Sequence, residues 1–151
     1  MSIMIADQEF LRILHLQKTF NSRFRLPTEN EKVFFLLHAQ NGESFQLNIE
    51  RRNTYEVYKS KTQSSYYKEP IIRLEVDAPP HTNPDGTTIG RNHIHIYREG
   101  FSLRWAYPLE TFHDFYFKNP FDFPELFEDF CNYFNIKLNT NIQGVLSCFR
   151  T

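Results

Sequence analysis

Apolar positions along this chain change their period several times, and each change marks an element. Between about Ile5 and Phe20 they recur near helical spacing. Phe10, Leu11, Leu14 and Thr19 share a track that Ile13 and Leu16 widen. The spacing predicts an N-terminal helix ended by Asn21 and Ser22, then a short strand at Phe24 and Leu26 that stops at Pro27. From there the period drops to two. Val33 to Gln40 is apolar and β-rich, Asn41-Gly42 is the preferred type I′ turn pair, and Ser44 to Glu50 alternates strictly. Phe45, Leu47 and Ile49 face one way and Gln46, Asn48 and Glu50 the other, which predicts a hairpin.

Residues 51–69 leave a choice between an irregular strand and a helix with a loop. Ile71 to Asp77 reads as a strand with Ile72, Leu74 and Val76 on one face. Ala78 to Asn92 reads as loop, with a β-turn at Asn83-Pro84-Asp85-Gly86. His93 to Arg98 returns as a strand, Gly100 breaks it, and Phe101 to Trp105 is a further strand candidate. Near the C-terminus, Asp122 with Glu125 three residues on forms a capping box, and Pro124 suits a first turn. Leu126, Phe127, Phe130, Cys131 and Phe134 then line one helix face. The sum is an α+β fold over residues 1–151 as one domain. Its single antiparallel sheet, mostly a meander of about five or six strands, is flanked by an N-terminal and a C-terminal helix.

Composition sharpens this in two ways. Aromatic residues make up 17% of the chain, with 16 Phe, so a core can be filled although only 40% of residues are apolar. A formal net charge of -1 argues against coating nucleic acid through bulk charge. Cys131 and Cys148 make neither a disulfide framework nor a metal knuckle and read as small buried hydrophobes. No signal peptide or long apolar span is apparent, so a cytoplasmic protein without a membrane partner is expected.

The candidate chemistry lies between Arg73 and Trp105. Residues two apart on a strand share a face, so His93, His95 and Tyr97 point together, as do Arg73, Glu75 and Asp77. If the two strands pair antiparallel, these polar faces merge into one cluster with His81 and Asp85 above it. Three chemistries can use such a cluster. In metal-free phosphodiester cleavage, His93 and His95 serve as general base and acid, Tyr97 belongs to the same catalytic face, and Arg73 stabilises phosphate charge. A divalent metal at His93 and His95 is compatible if His81, Asp77 or Asp85 completes it, but two ligands do not make a site, and no cofactor is expected. The third is binding alone. A solvated polar sheet face with no role is the plainest alternative. Asn83, Asp85, His81, Asp77, Glu99 and Trp105 would support the loops around the cluster.

The segment holding Arg51, Arg52, Tyr55, Lys59, Lys61, Tyr66 and Lys68 mixes cations with rings, as a surface for nucleic acid or a protein partner would. A lysine-protected edge strand explains it equally well. The stretch from Glu110 to Asp129 is acidic, which makes the molecule electrically two-sided.

Four motifs also carry a resemblance. Arg73-Leu74, His81-x-Asn83-Pro84-Asp85-Gly86, His93-x-His95-x-Tyr97-x-Glu99-Gly100 and Trp105-Ala106-x-Pro108-Leu109 resemble the core of an uncharacterised family of small bacterial and prophage proteins. The resemblance implies that the cluster is that family's shared centre, with no established activity. More weakly, an Arg-bearing strand, an Asp and paired histidines look like small toxins of bacterial toxin–antitoxin pairs, although the long Asn-Pro-Asp-Gly loop departs from them. The leading expectation is therefore a small bacterial or phage-encoded protein acting on nucleic acid, RNA favoured, as a toxin-like ribonuclease. The alternative is a non-enzymatic interaction protein, such as a phage-borne inhibitor of a host defence complex of CRISPR type or an antitoxin-like partner. Oligomeric state stays open, a homodimer included.

Overall fold

The computed structural model describes residues 4–53 and 58–138. Tyr55 and Cys148 lie outside them. Seven strands form one antiparallel sheet in the order β1 (Lys18–Phe20), β2 (Lys32–Ala39), β3 (Ser44–Asn53), β4 (Tyr58–Tyr66), β5 (Glu69–Val76), β8 (His93–Ile96) and β9 (Ala106–Pro108). Each strand pairs with its neighbour in sequence, except that β6 (His81–Thr82) and β7 (Thr88–Ile89) leave the sheet as a separate two-stranded ribbon between β5 and β8. Helices α1 (Asp7–His15) and α2 (Phe123–Phe134) complete the α+β fold.

The β2–β3 hairpin forms as expected, but in the register of a three-residue turn, with Leu37 opposite Phe45, Phe35 opposite Leu47 and Val33 opposite Ile49. Its turn is not type I′. Of the turn residues only Gly42 takes a positive φ, at 90°, and the Gly42 amide bonds the Ala39 carbonyl at 3.0 Å while the Ala39 amide bonds Glu43. This is a type I turn followed by a left-handed glycine, which spares Asn41 the left-handed region. Among the described residues of 51–69 the open question resolves as strand: β3 runs on to Asn53 and β4 pairs with it from Asn53–Tyr58 back to Phe45–Tyr66.

The apolar face of the sheet carries Phe45, Leu47, Ile49, Ile72, Leu74, Val76 and Ile94, all buried, and both helices join that core. α2 starts as expected: the Asp122 carboxylate accepts from the Glu125 amide, and Pro124 sits in the first turn. Its buried face is Leu126, Phe127, Phe130, Cys131 and Phe134, and Phe127 stacks on Phe24 at 5.0 Å. Each such phenylalanine contributes on the order of 1.5–3 kcal/mol by leaving water. Phe24 and Leu26 are buried in this core without pairing as a strand. Asp129, one of the acidic residues of 110–129, is itself buried and accepts from the Lys118 amide, so that stretch is not all solvated face.

The N-terminal helix is shorter than its periodicity suggests. It stops at His15, Leu16 turns extended, and Lys18 to Phe20 becomes edge strand β1 against Leu37 to Ala39, which places Thr19 on a strand. Pairing with β2 replaces helix propagation there, giving the backbone of Leu37 to Ala39 a partner strand. Lys18 is 0% exposed. Its ammonium donates to the carbonyls of Ile13 at 2.7 Å, Leu16 at 2.8 Å and Phe134 at 2.6 Å. It thus closes the C-terminal ends of both helices, over the Phe134 ring at 3.8 Å. Burial pulls its pKa down to about 7.

Candidate functional site

The face of the sheet away from the helices is built in cross-strand rows. Lys32, Glu50, Lys61, Glu75 and His93 stand opposite one another in turn across β2, β3, β4, β5 and β8. Beside them run Phe34, Asn48, Gln63, Arg73 and His95. The antiparallel β5–β8 pairing therefore joins Arg73 to His95 and Glu75 to His93, as the period-two reading requires.

What covers the histidines comes from outside the sheet. The loop expected at 78–92 contains the β6–β7 ribbon, whose turn at Asn83 to Gly86 closes with the Gly86 amide on the Asn83 carbonyl at 2.9 Å. The ribbon folds back against β9. Buried Asn83 accepts from the Ala106 amide at 2.8 Å and donates to the Ala106 carbonyl at 3.0 Å, and His81 reaches the Arg104 carbonyl at 2.8 Å. His81 then lies edge-on to His95, with ring centroids 4.6 Å apart. As a result His93 is 1% and His95 4% exposed, so the solvated-histidine reading does not describe this face.

Both imidazoles are oriented by backbone. His93 Nδ1 lies 2.7 Å from the Gly90 carbonyl and His95 Nδ1 2.7 Å from the Leu103 carbonyl, so each Nδ1 carries the proton. The two Nε2 atoms turn to one carboxylate, 3.5 Å from Glu75 Oε2 for His93 and 3.9 Å from Glu75 Oε1 for His95. Arg73 Nη1 is 3.6 Å from the same carboxylate, while its Nε donates to Gln63 at 2.7 Å. The electrostatics differ across the pair. Burial lowers His93, but the Glu75 carboxylate and the Gly90 carbonyl outweigh it and leave its pKa above the ordinary value. At His95 burial wins and pushes the pKa down to about 4. Burial raises Glu75, yet His93, His95 and Arg73 together hold it below the usual carboxylate range.

Several residues expected at the centre stand elsewhere. Tyr97 is past the end of β8, lies in the apolar core, and accepts a hydrogen bond from the Ile5 amide at 2.8 Å, so it does not share the histidine face. Asp77 leaves the strand at φ 55° and pairs with Arg91 at 2.9 Å. Asp85 is exposed in the ribbon turn, where it accepts from the Thr87 amide and its pKa is lowered by that bond. Glu99 exchanges hydrogen bonds with Asp7 and anchors α1. Phe101 to Trp105 is a turn-rich segment rather than a strand: Ser102 takes φ 52°, and the strand that follows is β9. Trp105 packs at the edge, with the Arg98 guanidinium 4.3 Å over its ring.

The basic segment also divides. Arg52, Lys59 and Lys61 line a cavity of about 260 Å³ whose wall includes Glu75. Arg51 turns to the helical side, donating to the Pro27 carbonyl at 2.8 Å and lying over the Phe123 ring at 4.4 Å. Tyr66 packs on Phe45 and donates to Glu43 at 2.9 Å, its pKa raised to about 12 by burial and by that carboxylate. Lys68 is exposed in the β4–β5 turn at φ 70°. The pattern of the sequence puts Glu75 in the cluster but gives it no role there. Its alternation with Arg73 and Asp77 placed it on the right face, but only the register makes it the hub.

A family model matches residues 5–136, which take in both helices, the whole sheet and the centre. The chain belongs to DUF6978, a family of unknown function. Comparison with curated proteins and with solved structures returns no match. No helix among the described residues is long and apolar enough to cross a membrane.

Proposed function

We propose that this small protein, bacterial or phage-encoded and cytoplasmic, acts on nucleic acid as a toxin-like ribonuclease centred on Glu75, His93 and His95. The observation that carries this reading is the double position of Glu75. It holds both buried histidines and also walls the cavity of Arg52, Lys59 and Lys61. Three cations on a concave surface attract a phosphate backbone, and Arg73, partly exposed beside Glu75, would stabilise charge on a phosphate undergoing cleavage. RNA is favoured because its 2′-hydroxyl can serve as the nucleophile under histidine acid–base catalysis, which DNA cannot offer. The test is cleavage of labelled single-stranded RNA and DNA by the purified chain, beside a His93→Ala/His95→Ala variant and a Lys59→Gln/Lys61→Gln variant. Cleavage lost in the first and weakened in the second supports the reading. No cleavage of either polymer, or activity that survives loss of both histidines, refutes it.

A second reading, a non-enzymatic inhibitor or antitoxin-like partner, is favoured by Phe34 and Leu36. They are 54% and 45% exposed on the same polar face, where an uncovered apolar pair invites a protein surface. A stoichiometric complex with a host defence protein that Phe34→Ser/Leu36→Ser abolishes would support it.

A further inference from the structure

Where they meet, the Glu75 carboxylate is an acceptor, and so are His93 and His95 when neutral. A carboxylate only accepts, and an imidazole that has given its Nδ1–H to a carbonyl presents a lone pair at Nε2 unless it takes a second proton. Three lone-pair sites that converge in a buried place need a cation between them. The separations say which kind. At 3.5 and 3.9 Å the N···O distances exceed the N–H···O range of about 2.7–3.2 Å, so a shared proton is a poor fit. Bonds of about 2.05 Å from nitrogen and about 2.1 Å from oxygen, meeting near the tetrahedral angle, put ligand atoms about 3.4 Å apart. One ligand atom from each of the three residues lies within 4.8 Å of the others. The carbonyl anchors at Gly90 and Leu103 are the outer partners that hold metal-binding imidazoles in orientation.

We propose that Glu75, His93 and His95 bind one divalent transition-metal ion, zinc or a close neighbour, through a carboxylate oxygen and two Nε2 atoms. Two nitrogen ligands disfavour calcium and magnesium, which take oxygen shells. Three protein ligands leave a further position for water or a phosphate oxygen, the arrangement of catalytic rather than structural zinc sites. The cavity that Glu75 walls supplies the approach. Arg73 is the cation that faces the site, 3.6 Å from Glu75, and it is held to Gln63 rather than aimed at the imidazoles. Once the ion takes the carboxylate, the Arg73 guanidinium is left for the substrate phosphate. His81 packs against His95 with its Nε2 on the Arg104 carbonyl, and it is not among the three residues whose ligand atoms converge. The catalytic use of the ion, as the source of an activated water, rests on the nuclease reading above; its binding does not.

The test uses the full chain stripped with EDTA and titrated with Co²⁺, read by its visible absorption, with Zn²⁺ as competitor. Expected are a single equivalent bound with the intense bands of low-coordinate Co²⁺, displacement by one equivalent of Zn²⁺, and a higher melting temperature with metal. His95→Ala and Glu75→Gln should weaken binding by at least about tenfold. Because buried variants can fail to fold, the wild-type spectrum and stoichiometry are read first, and Lys59→Gln/Lys61→Gln, which spares the ligands, should keep both. No saturable binding by the wild-type chain, or unchanged affinity in a folded His95→Ala, overturns the site. Metal binding without cleavage of RNA or DNA keeps the site and removes the nuclease reading; metal-independent cleavage by a chain that binds no ion does the reverse.

Discussion

Replacing Lys18 with methionine keeps the length of the side chain and removes its ammonium, and the consequence should depend on pH. Four carbonyls converge on Nζ, those of Ile13, Leu16 and Phe134 within 2.8 Å and that of Leu14 at 3.5 Å. The Ile13 carbonyl also accepts from the Leu16 amide at 3.2 Å, whereas those of Leu16 and Phe134 depend on the lysine. A buried carbonyl left unpaired costs about 1–3 kcal/mol, so two cost about 2–6 kcal/mol. Against this, methionine escapes the penalty of a buried charge. The gap between 10.5 and about 7 corresponds to about 5 kcal/mol, at about 1.36 kcal/mol per pH unit. The sign follows from proton counting. Between pH 7 and 10.5 the unfolded chain holds a proton on Lys18 that the folded chain has shed, so the wild-type protein gains stability as pH rises through that window. A neutral amine keeps two N–H groups, enough for the two dependent carbonyls. Urea unfolding of both proteins at neutral and alkaline pH gives the difference, in which titrating tyrosines cancel. The variant should be nearly as stable as wild type near pH 7 and fall behind by a further 4 kcal/mol or so at three pH units higher. A difference that stays flat over this range would refute the reasoning. It would mean that the carbonyls and the Phe134 and Phe45 rings offset burial in full.

Three further outcomes are expected. Asn83→Ala leaves the Ala106 amide and carbonyl unpaired at about 1–3 kcal/mol each, and hydrogen exchange at Ala106 should accelerate while α2 keeps its protection; unaltered exchange there would show that the ribbon is held by other contacts. Neutralising Arg52, Lys59 and Lys61 to glutamine should lower the slope of log affinity for single-stranded RNA against log salt by about 2, at about 0.7 per phosphate contact; an unchanged slope would remove the cavity from the binding surface. Phe127→Ala empties a fully buried position stacked on Phe24 and should cost about 3–5 kcal/mol in urea unfolding; a loss well under that range would mean that the aromatic core collapses into the space.

Local physics in the chain determines much of the architecture. Alternation from Ser44 to Glu50 sets which face of β3 is buried, because a pleated strand turns every second side chain the same way. Asp122, Pro124 and Glu125 start α2 through contacts within one turn, and the period-two pattern of Arg73, Glu75, His93 and His95 puts them on one face. Information that crosses the chain is not visible in that way. Whether residues 15–20 continue a helix or pair as a strand is decided by Leu37 to Ala39, and periodicity within residues 5–20 cannot report on a partner so far away. Tyr97 continues the HxH alternation in sequence but leaves it in space, because the strand ends at Ile96 and its hydroxyl is taken by the Ile5 amide. Arg51 and Arg52 look alike as neighbours, yet one lies over Phe123 and the other lines the cavity, since adjacent residues on a strand face opposite sides. The centre itself depends on tertiary structure for its burial, its tautomers and its hub. The Asn83 clamp and the register that sets Glu75 against His93 are long-range pairings, and with the Gly90 and Leu103 carbonyls they turn a polar sheet face into a closed group of three side chains.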